Sequence, residues 1–536
     1  MYPTQRLIKL TLLTSTLFSA AGLHAQASAP IATQPTTLTW FAPLERGAAA
    51  TMQSYAEQTA YKMLAQKTNV TVQFRHPALG SEKESFQLLQ ASGNYPDVIE
   101  WNNWTAYPGG PTKALDNKFI IPLNDLIKQH APNLQKLLDS NPEIRRQIST
   151  DKGDIYCFPM LRLDPKVRTF WGPQIRADWL SKLGLKAPTT IDEWTQVLQA
   201  FKTRSPSGKN DVIPYSVKTD PSDPIAPGLP TGLWPFLSAY GLQPNFFQVG
   251  GKVLYAPNQP AYKDYLTTMH KWYAAGLIDG DFVSQTGAQL DTKMANNQVG
   301  AYAGFIGSGL GRYTRLGQGS TPSFRLVAVP FPAARDGKRH NTWPEAGNLF
   351  NGGGAAISSQ NKKVIETVRF LDYGYSREGQ LAMNFGQEGV SYTMVNGQPR
   401  YTDSVIKNPK LPIYEAILQH ARPQAGPFVQ DPQYLLQFYQ LQEQKDAVAL
   451  WSSSSTELQL PPLSVDASDA SRFASTMSNV VPYVAEMTTK FILGKESLDK
   501  FDDYLKQLDQ MGVNRATALM QKAFDGYAKR GSPLTK

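Results

Sequence analysis

Apolar positions change period several times in the first hundred residues, and each change predicts an element. Val70, Val72 and Phe74 alternate with polar residues, which predicts a strand over 70–74. Leu38 to Phe41 reads as an earlier strand, and 52–66 carries a helical pattern between the two. A second helix over 85–91 leads into Asp97-Val98-Ile99, a short apolar run predicted as a buried strand. The order β-α-β-α-β is that of an open sheet covered by helices. In such sheets ligands sit beyond the carboxyl ends of the strands, here the loops after Phe41 and Ile99.

Further along, helix starts are written explicitly. Asn141-Pro142 sets an N-cap before a first-turn proline, and Thr190-Ile191-Asp192-Glu193 is a capping-box pattern. Trp194, Val197, Leu198 and Phe201 then fall on one helical face. Leu498, Phe501, Leu505 and Leu508 form another stripe, stopped by Gly512. Pro/Gly-rich stretches at 205–235 and 420–435 read as loops or linkers, and no solenoid-type repeat is visible.

The amino-terminal pattern differs from all of these. Arg6 and Lys9 precede an apolar run from Leu10 to Ala21, and Ala25-Gln26-Ala27 presents small residues where a signal peptidase cuts. Residues 1–27 are therefore expected to be a signal peptide cleaved at Ala27, with the chain released to the periplasm. The single cysteine, Cys157, lies far from that cut, so no lipid anchor and no internal disulfide are expected. Between Tyr156 and Phe158 it reads as a buried, inert thiol.

Composition narrows the function class. With 18% charged and 11% aromatic residues, the 536-residue chain has the balance of an ordered protein with room for two or more domains. A formal charge of +9 hints at an anionic partner, but the basic residues are scattered, without the stripe of a nucleic-acid groove.

Motifs of catalysis are missing from the sequence. The six histidines (His24, His76, His130, His270, His340 and His420) are isolated, and none makes a metal pair at helical spacing. There is no G-x-S-x-G elbow, and Gly307-Ser308-Gly309-Leu310-Gly311 lacks the Lys-Ser/Thr of a phosphate loop. That segment is expected to be a flexible loop after a strand over Val299 to Phe305. Neither a metal nor a cofactor is expected. A glycosidase carboxylate pair assembled from distant segments stays open as an alternative.

Loop aromatics carry the positive signal. Trp101-Asn102-Asn103-Trp104 follows the buried strand directly, where an open sheet presents a ligand. Tryptophan faces suit the C–H faces of sugar rings, and side-chain amides pair with hydroxyls in both directions. Trp171, Trp234, Phe305, Trp343 and Phe428 join them as candidates, with packing as the competing role for each. Trp179, Trp194 and Trp272 fit helix faces and read as core. Arg46, Arg162, Arg168 and Arg312 are candidate ligand bases, with a solvated surface role as the alternative. A cluster of guanidinium forks would match the carboxylates of uronic acids.

Several segments carry a resemblance. Ile175-Arg176-Ala177-Asp178-Trp179-Leu180-Ser181-Lys182-Leu183-Gly184-Leu185 resembles a segment of the extracellular solute-binding proteins of ABC importers. Tyr95-Pro96-Asp97-Val98, the runs 121–127 and 153–156, and Trp272 to Asp279 are similar to further pieces of that family. So are Gly389 to Thr393 with Asn396-Gly397, and the closing run Phe491 to Tyr527. Together they occur in the family's order from about residue 38 to 527. The subgroup that resembles the chain most includes alginate-oligosaccharide-binding periplasmic proteins.

The resemblance implies a two-lobed α/β periplasmic-binding-protein fold, each lobe an open sheet covered by helices and joined by hinge segments. The lobes are expected over 28–158 with 330–372, and over 159–329 with 373–536, the second with a helical extension. It implies a monomer that holds an oligosaccharide in the interlobe cleft and delivers it to a permease and its ATPase subunits. Net charge and loop arginines add the expectation of a uronate-containing cargo, such as pectin- or alginate-derived fragments. A secreted lyase or glycosidase, or a binder of neutral glycans or peptides, is the alternative.

Two departures from the subgroup stand out. Its Asp-Pro-Asn-Gly-Asn-Gly-type calcium loop reads here Ser205-Pro206-Ser207-Gly208-Lys209-Asn210-Asp211, so that site is expected to be lost or very weak. Where alginate binders carry a stacking tryptophan near Phe428-Val429-Gln430-Asp431, this chain has Val429.

Overall fold

A computed structural model describes residues 31–219 and 230–530. The expected signal peptide and its cut at Ala27 lie outside the described residues. Two mixed sheets organise the rest. The larger has the strand order Phe428–Val429, Phe158–Leu161, Gly354–Ile357, Val98–Trp101, Thr36–Phe41, Val70–Arg75. Its first three strands in sequence pair in parallel, as the β-α-β-α-β pattern predicts, whereas Gly354–Ile357 runs antiparallel to both neighbours. The second sheet has the order Leu326–Ala328, Trp171–Arg176, Val299–Phe305, Ile213–Tyr215.

Each sheet has its own apolar core. Leu38, Trp40, Val98, Ile99, Phe158 and Ile357 belong to one cluster of buried residues. Ile175, Trp194, Phe201, Tyr302 and Trp451 belong to the other. The chain passes from the first cluster to the second between Leu161 and Val167 and returns between Ala346 and Phe350. It leaves again after Met383, touches the first cluster at Leu418 and Phe428, and ends in the second. Around the second core lies a helical layer in which Ala467–Leu493 packs against Pro260–Ala274 and Val513–Lys529. Among the described residues no helix is long and apolar enough to cross a membrane.

Local signals explain most boundaries. The helix Ile191–Arg204 buries Trp194, Val197, Leu198 and Phe201, the face expected from their spacing. Its cap differs in detail from the box pattern. The Thr190 hydroxyl accepts from Glu193 N at 3.3 Å, while Glu193 reaches one residue further back, accepting from Thr189 N at 2.7 Å. Asn141 caps Pro142–Gln147 by accepting from Glu143 N. Gly512, at φ +92°, separates Phe501–Gln510 from the last helix in a conformation that a side chain would strain.

Four expectations are corrected. The helix expected over 52–66 is a 3₁₀ turn, Tyr55–Glu57, followed by Thr59–Thr68, because Ser54 and Glu57 form a capping box that starts a separate turn. Gly307 to Gly311 is not a loop. Ile306–Gly311 makes a π-helical turn that runs into Arg312–Gln318. Gln444 reaches into that opened turn and donates to Ile306 O at 3.0 Å. A Cβ at Gly311 would lie 2.3 Å from its Nε2, so the glycine provides the space. Within the stretch read as a linker, Thr231–Tyr240 is a 3₁₀ helix that buries Leu233, Trp234, Phe236 and Leu237. In the second such stretch, Phe428–Val429 extends the larger sheet and Pro432–Phe438 is helical.

Removing the Thr190 hydroxyl leaves an amide of the first turn unpaired. Thr190→Ala should cost about 1 kcal/mol, read as a lower urea midpoint with an unchanged m-value.

Candidate functional site

Three cavities join into one cleft between the two cores. The largest, about 830 Å³, is walled by the second core through Phe170, Trp171, Tyr302, Phe305, Arg312 and Trp343. A middle cavity of about 410 Å³ shares Phe170, Phe305 and Ser308 with it, and adds Arg162, Tyr414 and Gln430. A third, about 420 Å³, shares Met160 and Gln424 with the middle one and opens on Glu45, Glu100, Trp101 and Asn102 of the first core. Both loops that the open-sheet rule pointed to contribute. Glu45 comes from the one after Phe41, and Asn102 from the one after Val98–Trp101.

Four rings form the wall of the large cavity. Trp343 meets Phe170 edge-on at 5.4 Å, Phe305 edge-on at 5.4 Å and Trp171 at 5.6 Å between centroids. Trp171 begins its strand directly opposite Phe305, the last residue of the neighbouring antiparallel strand. That register brings both side chains to the same end of the sheet. Phe305 keeps 42% of its surface exposed, unusual for a ring that size at a strand end and suited to a sugar face.

Polar groups along the cleft are of two kinds. Most charges are already paired. Arg312 holds Asp291 through two hydrogen bonds of 2.5 and 2.6 Å, which keep that carboxyl below its ordinary range. Arg162 lies 3.4 Å from Glu345. Glu100 is held by Arg422 through bonds of 2.8 and 3.1 Å, both residues buried. Other groups are left open. Trp343 of the large cavity, Gln430 of the middle one and Glu45 of the third each carry a buried polar atom, Nε1, Oε1 and Oε1, with no hydrogen-bond partner in the protein. A buried polar atom without a partner is uncommon, and one of these lies beside each cavity.

The residues expected from sequence divide accordingly. Trp101, Asn102, Arg162, Trp171, Phe305 and Arg312 line the cleft. Trp101 stacks one face on Phe86 at 4.0 Å, which fixes its orientation. Trp104 is fully buried and donates Nε1–H to Gly354 O at 2.9 Å, so it ties a loop to the sheet. Phe428 is fully buried in its strand, and Trp234 packs edge-on against Trp171, behind the cleft wall. Arg168 turns away to donate to Gly347 O at 3.0 Å, and Arg46 is exposed on the short helix Arg46–Ala49. Sequence reasoning missed Phe170, Tyr414, Gln430 and Glu45. Only the position of Glu45 after the first strand could have flagged it.

The segment 205–211 does not fit calcium. Its one carboxylate, Asp211, accepts from Gln298 at 2.8 Å, and the Lys182 ammonium occupies the Pro206 carbonyl at 2.8 Å. A hard dication needs six to eight oxygens, and a bound ammonium competes for them.

Two lobes with separate cores and an aromatic cleft between them define a solute-binding protein of the two-lobed α/β class. The chain belongs to the bacterial extracellular solute-binding proteins, whose family pattern matches residues 42–381. As a member of a solute-binding family it is not an enzyme, which closes the lyase and glycosidase alternative. It is 25% identical over 473 residues to the fructooligosaccharide ABC transporter substrate-binding protein FusA of Streptococcus pneumoniae serotype 4, covering 83% of this chain and 82% of that one. It is 25% identical over 339 residues to the polygalacturonan/rhamnogalacturonan-binding protein YtcQ of Bacillus subtilis strain 168, with 62% and 63% covered. The solved structure of alginate-binding protein AlgQ2 without calcium superposes with a TM-score of 0.70 at 25% identity, over 93% of this chain and 99% of that one.

Two outcomes follow from the cleft floor. Arg422→Leu leaves Glu100 buried without its partner and should destabilise the protein by about 3–5 kcal/mol in urea unfolding. Glu45 tests the pH dependence. Burial pushes its carboxyl above the ordinary 4.5, against the downward pull of the Tyr414 hydroxyl and the Arg422 charge. A carboxyl raised in the folded state adds stability below 4.5 that is lost as pH climbs through its folded value. Glu45→Gln removes that titration, so its stability relative to wild type should rise as pH climbs from below 4.5 through the folded-state value.

Proposed function

We propose that the chain captures an oligosaccharide in this cleft and delivers it to an ABC permease driven by cytosolic ATPase subunits. The observation that carries the reading is the four-ring wall of the large cavity, continued by cavities whose lining includes Gln430 and Glu45, each with an unpartnered buried oxygen. Rings supply flat apolar faces, and the open donors and acceptors suit hydroxyls, the combination a chain of sugars presents. We take the lobes to meet where the chain changes cores, near 162–166 and 347–349, and to act as a monomer exported to the periplasm. Ligand would touch both lobes only when they close, so its binding energy favours the closed form that docks on the permease.

The cargo's charge follows from the same geometry. Arg162 and Arg312 already hold carboxylates, so an added uronate must share a guanidinium or displace Glu345 or Asp291. Recognition by ring faces and hydroxyls therefore ranks first. A uronate-containing oligosaccharide is the second reading, favoured by Lys218 and Arg312, which both line the large cavity and both act on Asp291. Similarity to polygalacturonan- and alginate-binding proteins supports it as well.

A thermal-shift series separates the two. Fructooligosaccharides, oligogalacturonates and alginate oligosaccharides are titrated, and the true ligand stabilises by about 2.7 kcal/mol at a hundredfold excess over Kd. A shift with uronates alone would install the second reading, and a shift with peptides alone would remove both. Trp343→Ala should weaken sugar binding by about tenfold or more, because it loses a stacking face and the indole donor together.

A further inference from the structure

Outside the cleft, one group of side chains has the composition of a metal site. Asp336, His340 and Glu457 each offer a ligand atom, and these atoms lie within 4.8 Å of one another. Among the described residues no other set of three or more His, Cys, Asp or Glu side chains meets that condition. His340 is only 3% exposed, and its Nδ1 has no hydrogen-bond partner in the protein. A buried imidazole nitrogen without a partner is a costly feature that a bound ion would explain.

We propose that Asp336, His340 and Glu457 bind a divalent transition cation of the zinc type. One imidazole nitrogen and two carboxylate oxygens suit such an ion, with water completing the shell. The nitrogen and the small number of oxygens disfavour calcium and magnesium. The scaffold is firm. His340 N donates to Ser238 Oγ at 2.9 Å, and His340 pairs in a parallel bridge with Ser455, just before Glu457. Asp336 sits in a turn closed by Ala334 N to Lys338 O at 2.8 Å, and its Oδ1 accepts from Lys338 N at 3.0 Å.

Lys338 is the local competitor. Its ammonium donates to Glu457 Oε1 at 2.6 Å, so an incoming cation uses the other carboxylate oxygen or displaces the lysine. The site would also touch function. The Gln459 amide donates to Asn341 O and Trp343 O, both at 2.8 Å, and so links the same two loops to the cleft tryptophan. An ion at His340 stiffens the loop that presents Trp343.

Isothermal titration of the secreted chain with zinc chloride, after chelator treatment, tests the site, with a thermal melt in parallel. One ion per chain and a melting temperature that climbs with free zinc are expected. Glu457→Gln and Asp336→Asn alter exposed side chains, so both keep the fold, and each should weaken zinc by at least about tenfold. Lys338→Met should tighten binding by removing the competing ammonium. No zinc binding by wild type, or wild-type affinity in both carboxylate variants, overturns the proposal. So does a response to calcium with none to zinc.

Discussion

The buried ion pair between Arg422 and Glu100 is the constraint around which the cleft is arranged. Glu100 lies in a strand between two neighbours of the larger sheet, and Arg422 arrives from a segment 322 residues later. Two charges removed from water at that depth are tolerable only if each finds nearly all its partners. Arg422 finds Glu100 twice, the Tyr61 hydroxyl at 3.1 Å and the Tyr55 ring face at 3.9 Å. The pair therefore holds the last return of the chain against the first sheet, and it places Gln424 and Ala425 on the cavity floor. Its field also acts on the neighbouring Glu45, whose proton is governed by burial first and by these charges afterwards.

Pairing of charges and openness of neutral groups divide the labour in the cleft. Arg162, Arg312, Asp291 and Glu100 are paired within the protein, so they shape the site without demanding a counter-charge from the ligand. The groups left without a partner are the Trp343 indole N–H, the Gln430 carbonyl oxygen and one oxygen of the Glu45 carboxyl. Such an arrangement suits a transport receptor, because neutral hydrogen bonds and stacked faces bind well and still release. The chain crosses between the two cores near 162–166 and 347–349, and again after Met383 and beside Leu418 and Phe428.

Much of the first sheet was legible along the chain, because period-two runs such as Val70 to Phe74 are unambiguous wherever one face is buried. Helix starts at Asn141 and Thr190 were equally plain, since a cap is a local bond. The glycine run 307–311 misled for a physical reason. Its glycines make room for Gln444, a partner more than a hundred residues away, and a sequence shows no such approach. Loop aromatics divided the same way. Trp101 and Trp104 stand three residues apart, yet one lines the cleft and the other is spent on Gly354. Nothing in their neighbourhood separates them, because the difference lies in a strand some 250 residues later.

By itself the sequence determined the first parallel strands, several helix starts, the α/β class and, through ordered segments such as Ile175 to Leu185, the family. Those features depend on backbone preference, capping and hydrophobic period, all of which act over a few residues. Tertiary structure alone decided which aromatics face a ligand, which arginines already have a partner, and that His340 meets Asp336 and Glu457. Each of these depends on which distant segment fills the space beside a side chain, and burial and pairing are properties of that neighbour as much as of the residue.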